Sequence, residues 1–181
     1  MSASPRVPSA PSPGSTACAP QPRVTFAIAR GEALAWALAS LDAPEIVAAF
    51  GAPRSLGLAT LLAYAGDAGP TLLVASDASG RRVGLAVAYG LDGRRIELAL
   101  AVPDPTLRRR GLGVACADAL LGLVFDVWGA DALVLRVHRD NRACRALLAR
   151  FGPLEAVGEI GAFTLYVVPA AARGALVRPS G

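Results

Sequence analysis

The residue types best able to do chemistry in this chain lie between Glu97 and Cys144. In Pro105-Thr-Leu-Arg108-Arg109-Arg110-Gly111-Leu112-Gly113-Val114, three consecutive guanidinium groups precede two glycines. Glycine lets a backbone approach a ligand closely. The first N–H groups of a helix have no acceptor within the helix. A helix opening here would therefore offer amides and the positive end of its dipole to an anion such as a pyrophosphate. The arginines would add charge-assisted hydrogen bonds. The segment lacks the Gly-Lys-Ser/Thr of a Walker loop and the third glycine of the dinucleotide fingerprint. Glu97, upstream of this loop, is the candidate catalytic carboxylate, a residue type suited to general acid–base work. Strand alternation would put Glu97, Ala99 and Ala101 on one face. The competing reading makes Glu97 an ordinary cross-strand partner of Arg82, Arg94 or Arg95.

These residues need elements to position them, and the pattern supplies a consistent set. Val24–Ala29 reads as a short strand. Helical spacing of apolar residues runs from Glu32 to Phe50, broken near Pro44, and a further helix is expected over Leu56–Tyr64. Three strands follow at short spacing, Thr71–Ala75, Val83–Tyr89 and Arg95–Val102, separated by Asp77-Ala-Ser-Gly80 and Gly90-Leu-Asp-Gly93. Such turns predict an antiparallel meander. After Pro103 the period changes to that of one long helix, Gly113–Trp128, stopped by Gly129. Ala132–Val137 reads as a buried strand. Asp140 or Asn141 then caps a helix with Cys144, Leu147, Leu148 and Phe151 on its apolar face. A last strand pair, Glu155–Ile160 and Phe163–Val168, turns at Gly161. The fold class is α+β: a mostly antiparallel central sheet with one parallel crossover, flanked by about four helices.

Composition narrows the alternatives. The chain has 181 residues, enough for one domain with a real core. Residues 1–22 are rich in Ser, Ala and Pro and are expected to be a disordered tail. The folded unit is expected over 23–169, with an irregular tail over 170–181. Hydrophobic residues make up 54% of the chain, yet no uncharged apolar run reaches the roughly 20 residues of a membrane span. There is no secretory h-region, so a cytoplasmic protein is expected. The three cysteines and single histidine argue against a disulfide framework or a bound metal. All 18 basic residues are arginine. Eight of them fall in 108–150 against four aspartates, so the basic excess points to a local anionic ligand. Arg139, Arg142 and Arg145 form a stripe at helical spacing. No aromatic stacking platform accompanies it, and nucleic acid is not the expected partner. The apolar composition and the C-terminal strands point to a homodimer.

Arg108-x-x-Gly111-x-Gly113 resembles the acyl-CoA-binding motif of the GNAT N-acetyltransferase superfamily, Gln/Arg-x-x-Gly-x-Gly/Ala. The surroundings are similar too: a strand ending at Asp104-Pro105, a long helix, a buried strand, then Asn141-x-x-Cys144 and Phe151-Gly152. The resemblance covers about residues 70–153. It implies acetyl-CoA as co-substrate and direct transfer of its acetyl group to a primary amine, without a metal. The acceptor would be a small molecule or a protein N-terminus. The resemblance also implies roles. Amides of Arg109, Arg110, Gly111, Leu112, Gly113 and Val114 would cradle the pyrophosphate. Arg108, with Arg109 or Arg110, would neutralise phosphates. The strand end Ala101–Val102–Pro103 would pair with the pantetheine arm, with a backbone N–H there meeting the charge that builds on the carbonyl oxygen. Asn141 would bond the arm from the other side, with Cys144 in the position of a family Ser. A glutamate at the spacing of Glu97 is the base in some members. Three positions depart from the family pattern, and the first two motivate the alternative reading of a non-catalytic CoA-binding regulatory module. Leu148 stands where many members carry a Tyr general acid, Pro103 where a Val donates its N–H, and Pro153 where a Phe follows the glycine.

Overall fold

The computed structural model describes residues 22–50, 69–90, 94–151 and 154–173. Seven strands form one sheet in the order β1-β2-β3-β4-β5-β7-β6. They are β1 (Val24–Ile28), β2 (Thr71–Asp77), β3 (Arg82–Tyr89), β4 (Arg95–Ala101), β5 (Ala132–His138), β6 (Ala156–Ile160) and β7 (Phe163–Pro169). Every neighbouring pair is antiparallel except β4 with β5. The expected meander, the parallel crossover and the closing pair are all present. The helix expected over 56–64, residues 1–21 and 174–181 of the expected tails, Gly152, Pro153 and the tip of the turn before β4 lie outside the described residues; of the expected irregular C-terminal tail, Ala170–Ala172 forms a short 3-10 turn.

The helices are α1 (Gly31–Leu41), α2 (Pro44–Ala49), α3 (Leu112–Gly122) and α4 (Arg142–Leu148). Pro44 divides α1 from α2 because it occupies the first turn of the second helix, where its missing N–H costs nothing. The sheet is covered on both faces. Leu120, Leu121 and Val124 of the α3 segment pack on Leu73, Ala86, Ile96 and Leu98. Ala37, Leu41 and Ile46 of α1 and α2 pack on Leu72, Val74, Leu85, Val87 and Ala101. Trp128 joins the first cluster and Trp36 the second. A strand buried on both faces cannot alternate apolar with polar residues. That is why Val83–Ala88 of β3 is buried throughout.

The expected single long helix is wound in two ways. After Gly122 the chain continues as a π-helical segment, Leu123–Val127. The Trp128 N–H donates to the Leu123 carbonyl at 2.9 Å, and that of Ala130 to Val124 at 3.1 Å. Gly129, at φ +65°, then turns the chain into β5. Spacing alone did not distinguish a 3.6-residue turn from this wider one, because Val124 is buried in either. Asp126 on this segment forms an ion pair with Arg173 after β7.

Candidate active site

The site begins where the parallel pair comes apart. β4 and β5 pair from Arg95↔Ala132 to Leu98↔Leu135 and no further. Beyond that point β4 stays with β3 as far as Leu85↔Ala101, while β5 stays with β7 as far as His138↔Phe163. Ala99–Ala101 and Arg136–His138 therefore flank a gap between two strands of one sheet. Such a gap admits an extended ligand arm along strand edges.

The loop after β4 is tied down by side chains. Asp104 caps the short turn Pro105–Leu107, accepting from the Thr106 N–H at 2.8 Å and its hydroxyl at 2.6 Å. Arg81 from the β2–β3 turn donates to the same carboxylate at 2.9 Å. The Thr106 hydroxyl and amide, with Arg81, hold the Asp104 carboxyl below its ordinary value of 3.8. Arg108 turns back on the strand end. Its Nε donates to the Val102 carbonyl and its Nη2 to that of Pro103, both at 3.0 Å. Glu45 of α2 lies 3.9 Å from the same Nη2. The guanidinium expected at a phosphate thus holds the end of β4 and the start of the loop. Pro103, which has no N–H to give, presents its carbonyl to Arg108.

Arg109 and Arg110 are exposed. Arg109 has φ +62° and Gly111 φ +78°. Left-handed residues set among ordinary ones gather successive N–H groups into an anion-binding concavity. Gly111 is the N-cap of α3, and no side chain caps this end. A Cβ built on Gly113, in the first turn, meets nothing within 4 Å. An uncapped helix start, a left-handed cap and open space beside the second glycine fit a diphosphate held by backbone amides.

Asn141 is the N-cap of α4, as expected. Its Oδ1 accepts from the Cys144 N–H at 2.9 Å, and its Nδ2 donates to the Ala49 carbonyl at 3.1 Å. It therefore ties the end of α2 to the start of α4. Cys144 contributes its amide; its thiol is pushed up to about 11 by burial, as is that of Cys116. Neither is a nucleophile at neutral pH, because the thiolate is the reactive form. Leu148 is half-buried on α4.

Glu97 faces away from α3. Ile96 and Leu98 pack under α3, whereas Ala101 packs under α1 and α2, so alternation puts Glu97 on the latter face. Its Oε2 accepts from Arg136 Nη2 at 3.1 Å, with 23% and 27% of the two side chains exposed. Of the expected partners, Arg82 pairs with Glu32 and Arg94 with Asp131. The Arg136 partnership has no spacing signal, because the register of a parallel pair is set by tertiary packing. Asp104 was more legible, since an Asp two residues before Thr is a known turn-capping pattern. Tyr89 stands opposite Glu97 on β3, and so supplies a phenol on the same face. Tyr166 pairs with Leu135 on the other face. His138 ends β5, stacked edge-on against Phe163 at 5.1 Å. Arg139, Arg142 and Arg145 are exposed. No described helix is long and apolar enough to cross a membrane.

A sheet split between two parallel strands, followed by a glycine-opened helix, is an arrangement suited to an extended ligand arm ending in a diphosphate. The chain belongs to the Acetyltransferase (GNAT) family, whose model it matches over residues 38–152. It is 37% identical over 97 residues to a mycothiol acetyltransferase of Clavibacter michiganensis, covering 51% of this chain. The chain spans only 28% of the length of that curated relative. Among solved structures, an aminoglycoside acetyltransferase AAC(6')-Ib with coenzyme A is similar at a TM-score of 0.67 and 20% identity, over 82% of this chain and 96% of that one. A spermidine N-acetyltransferase from Vibrio cholerae, with CoA and spermine, gives 0.65 and 13%, over 83% and 98%. At these identities the two structures establish the fold.

Proposed function

We propose that this protein transfers the acetyl group of acetyl-CoA directly to a primary amine, with Glu97 as the general base. The observation that carries this reading is the place of Glu97. It lies just before Leu98, where β4 and β5 part, on the face opposite α3. Amides of the Arg109–Val114 loop hold the diphosphate, and exposed Arg109 and Arg110 add positive charge. The edge Ala101–Val102–Pro103 and the Asn141 side chain line the two sides of the arm. Arg108 and Asp104 act on the ligand through the loop that they fix. Acetyl-CoA supplies an acetyl group already activated as a thioester. Glu97 accepts one proton from the acceptor's ammonium, which frees the nitrogen lone pair. The nitrogen bonds to the carbonyl carbon, the carbon–sulfur bond breaks, and a second amine proton leaves with the thiol. The acetyltransferase unit is 23–169.

Calorimetric titration of acetyl-CoA tests the donor site, with Gly111→Asp as control. A carboxylate placed on a residue at φ +78° would both strain the cap and repel phosphate. Binding to the parent chain, weakened at least about tenfold in Gly111→Asp, is the expected result. Equal binding by the two would remove the phosphate site from this helix. For the base, Glu97→Gln should lower the rate by roughly 10²–10⁴ while acetyl-CoA still binds. An unaltered rate would exclude Glu97.

A further inference from the structure

Two arginines of α4 stand beside the diphosphate loop with no work to do in the fold. We propose that Arg142 and Arg145 hold the phosphate monoester on the ribose of CoA, and so select CoA over its dephosphorylated form. The inference rests on the reading of the Arg109–Val114 loop as the diphosphate site and extends it to a second phosphate.

Three observations lead there. The first is charge. Arg142 and Arg145 are exposed and meet no carboxylate among the described residues. They stand three apart on one short helix, where like charges are neighbours and repel. Arg142 opens that helix, with no acidic residue in its first turn, and a cation there opposes the helix dipole. The pair thus costs the fold stability, and an anion between the two guanidinium groups would offset this. Arg139 extends the stripe in sequence but does not join it. Its Nη2 donates to the Gly161 carbonyl at 3.2 Å and its N–H to that of Ala162 at 2.8 Å. The stripe is therefore cut to two side chains, which suits one phosphate better than the long basic track of a nucleic-acid groove. The second is place. β4 and β5 are parallel neighbours, so the loop after β4 and the start of α4 leave the sheet at the same end. α2 measures their separation. Glu45 near its start lies 3.9 Å from Arg108, and the Ala49 carbonyl at its end accepts from Asn141 at 3.1 Å. These two residues of α2 are four apart, about 6 Å along a helix axis. Arg142 follows Asn141 directly and Arg145 lies one turn on, so both long side chains stand beside the diphosphate loop. The third is chemistry. Beyond its diphosphate CoA carries an adenosine with a phosphate monoester on the ribose, and such a group bears about −1.5 to −2 charges at pH 7. Two guanidinium forks match its charge and its oxygens. Arg109 and Arg110 remain for the diphosphate.

The experiment titrates CoA and dephospho-CoA calorimetrically into the parent chain, the double variant Arg142→Gln/Arg145→Gln, each single variant, and Arg150→Gln, which removes an exposed arginine just after α4. The two ligands differ only in the monoester, and neither titration needs an acceptor or turnover. In the parent chain CoA should bind at least about tenfold more tightly than dephospho-CoA, since charged hydrogen bonds are worth that much. In the double variant CoA should fall to the level of dephospho-CoA, whose own affinity stays, and each single variant should lie between. Arg150→Gln should keep the parent ratio. A merely structural pair would weaken both ligands alike and leave the ratio standing, which overturns the proposal. So does equal binding of the two ligands by the parent chain. Retention of an oligoribonucleotide at physiological salt by the parent chain but not by the double variant, with the ligand ratio the same in both, assigns the pair to nucleic acid and also overturns it. Circular dichroism reports folding; if the double variant unfolds, the parent ratio and the single variants decide. Failure of the donor-site reading appears separately and overturns both: the folded parent chain binds neither ligand, or Gly111→Asp binds both as the parent does.

Discussion

The two glycines of the Arg108–Gly113 loop are required for different reasons, and Gly113→Ala separates fold from function. Gly113 lies in the first turn of α3 without a positive φ, and a Cβ built there meets nothing within 4 Å. The fold therefore has no use for this glycine. Glycine is disfavoured in a helix interior by about 0.8–1 kcal/mol relative to alanine, and alanine also restricts the unfolded chain. In a first turn we expect roughly half to all of this, so Gly113→Ala should stabilise the protein by about 0.5–1 kcal/mol. For a chain of this size that raises Tm by roughly 1–4 °C. Binding should move the other way. The added methyl group occupies the open space from which a diphosphate would reach the amides, and a weakening of at least about tenfold, or 1.4 kcal/mol, is expected. Urea denaturation and calorimetry with acetyl-CoA measure the two quantities on one preparation. Unchanged affinity would refute the reasoning by showing that no ligand approaches this backbone. Lost stability would show that the glycine serves the fold. Gly111→Ala is the contrast: at φ +78° an alanine should cost about 1–2 kcal/mol before any ligand is added.

Three further outcomes follow from the packing. Asn141→Ala removes both the cap of α4 and the tie to Ala49, and should cost about 1–3 kcal/mol in denaturation; Asn141→Ser keeps a capping oxygen and should recover part of this, and equal losses would deny the cap its share. Gly84→Ala would place a Cβ 3.1 Å from Cys116 Sγ and 3.3 Å from the Ala101 carbonyl, so it should destabilise by roughly 1–3 kcal/mol; a neutral outcome would mean that α3 can shift off β3. Asp77 and Asp104 both have carboxyls held below 3.8, chiefly by hydrogen bonds from Ser79 and Thr106. A lowered folded-state value means that the stabilisation is complete above 3.8 and lost as pH falls through the folded value. The Tm difference between the parent chain and Asp104→Ala should accordingly shrink as pH drops below 3.8, and a constant difference would assign the effect to packing.

Much of this protein is determined locally, and so was readable. The meander of β2, β3 and β4 follows from apolar runs separated by short polar turns. Pro44 marks the break between α1 and α2 because a proline without an N–H fits only the first turn of a helix. The Gly111–Gly113 opening of α3 and the Asn141 cap are contiguous patterns whose geometry depends on neighbouring residues alone. What the sequence could not decide is everything that depends on the register of distant strands. The partner of Glu97 is Arg136 because β4 and β5 run parallel with Leu98 opposite Leu135, a pairing made across the whole of α3. Arg108 turned to the carbonyls of Val102 and Pro103 because the loop folds back on its own strand, where Glu45 of α2 also reaches it. The Asn141 amide met Ala49, 92 residues away in the chain. Side-chain type and spacing set which groups are available. Which charges they meet is fixed only when tertiary packing sets the strand registers and brings remote segments within the few ångströms over which a hydrogen bond or ion pair acts.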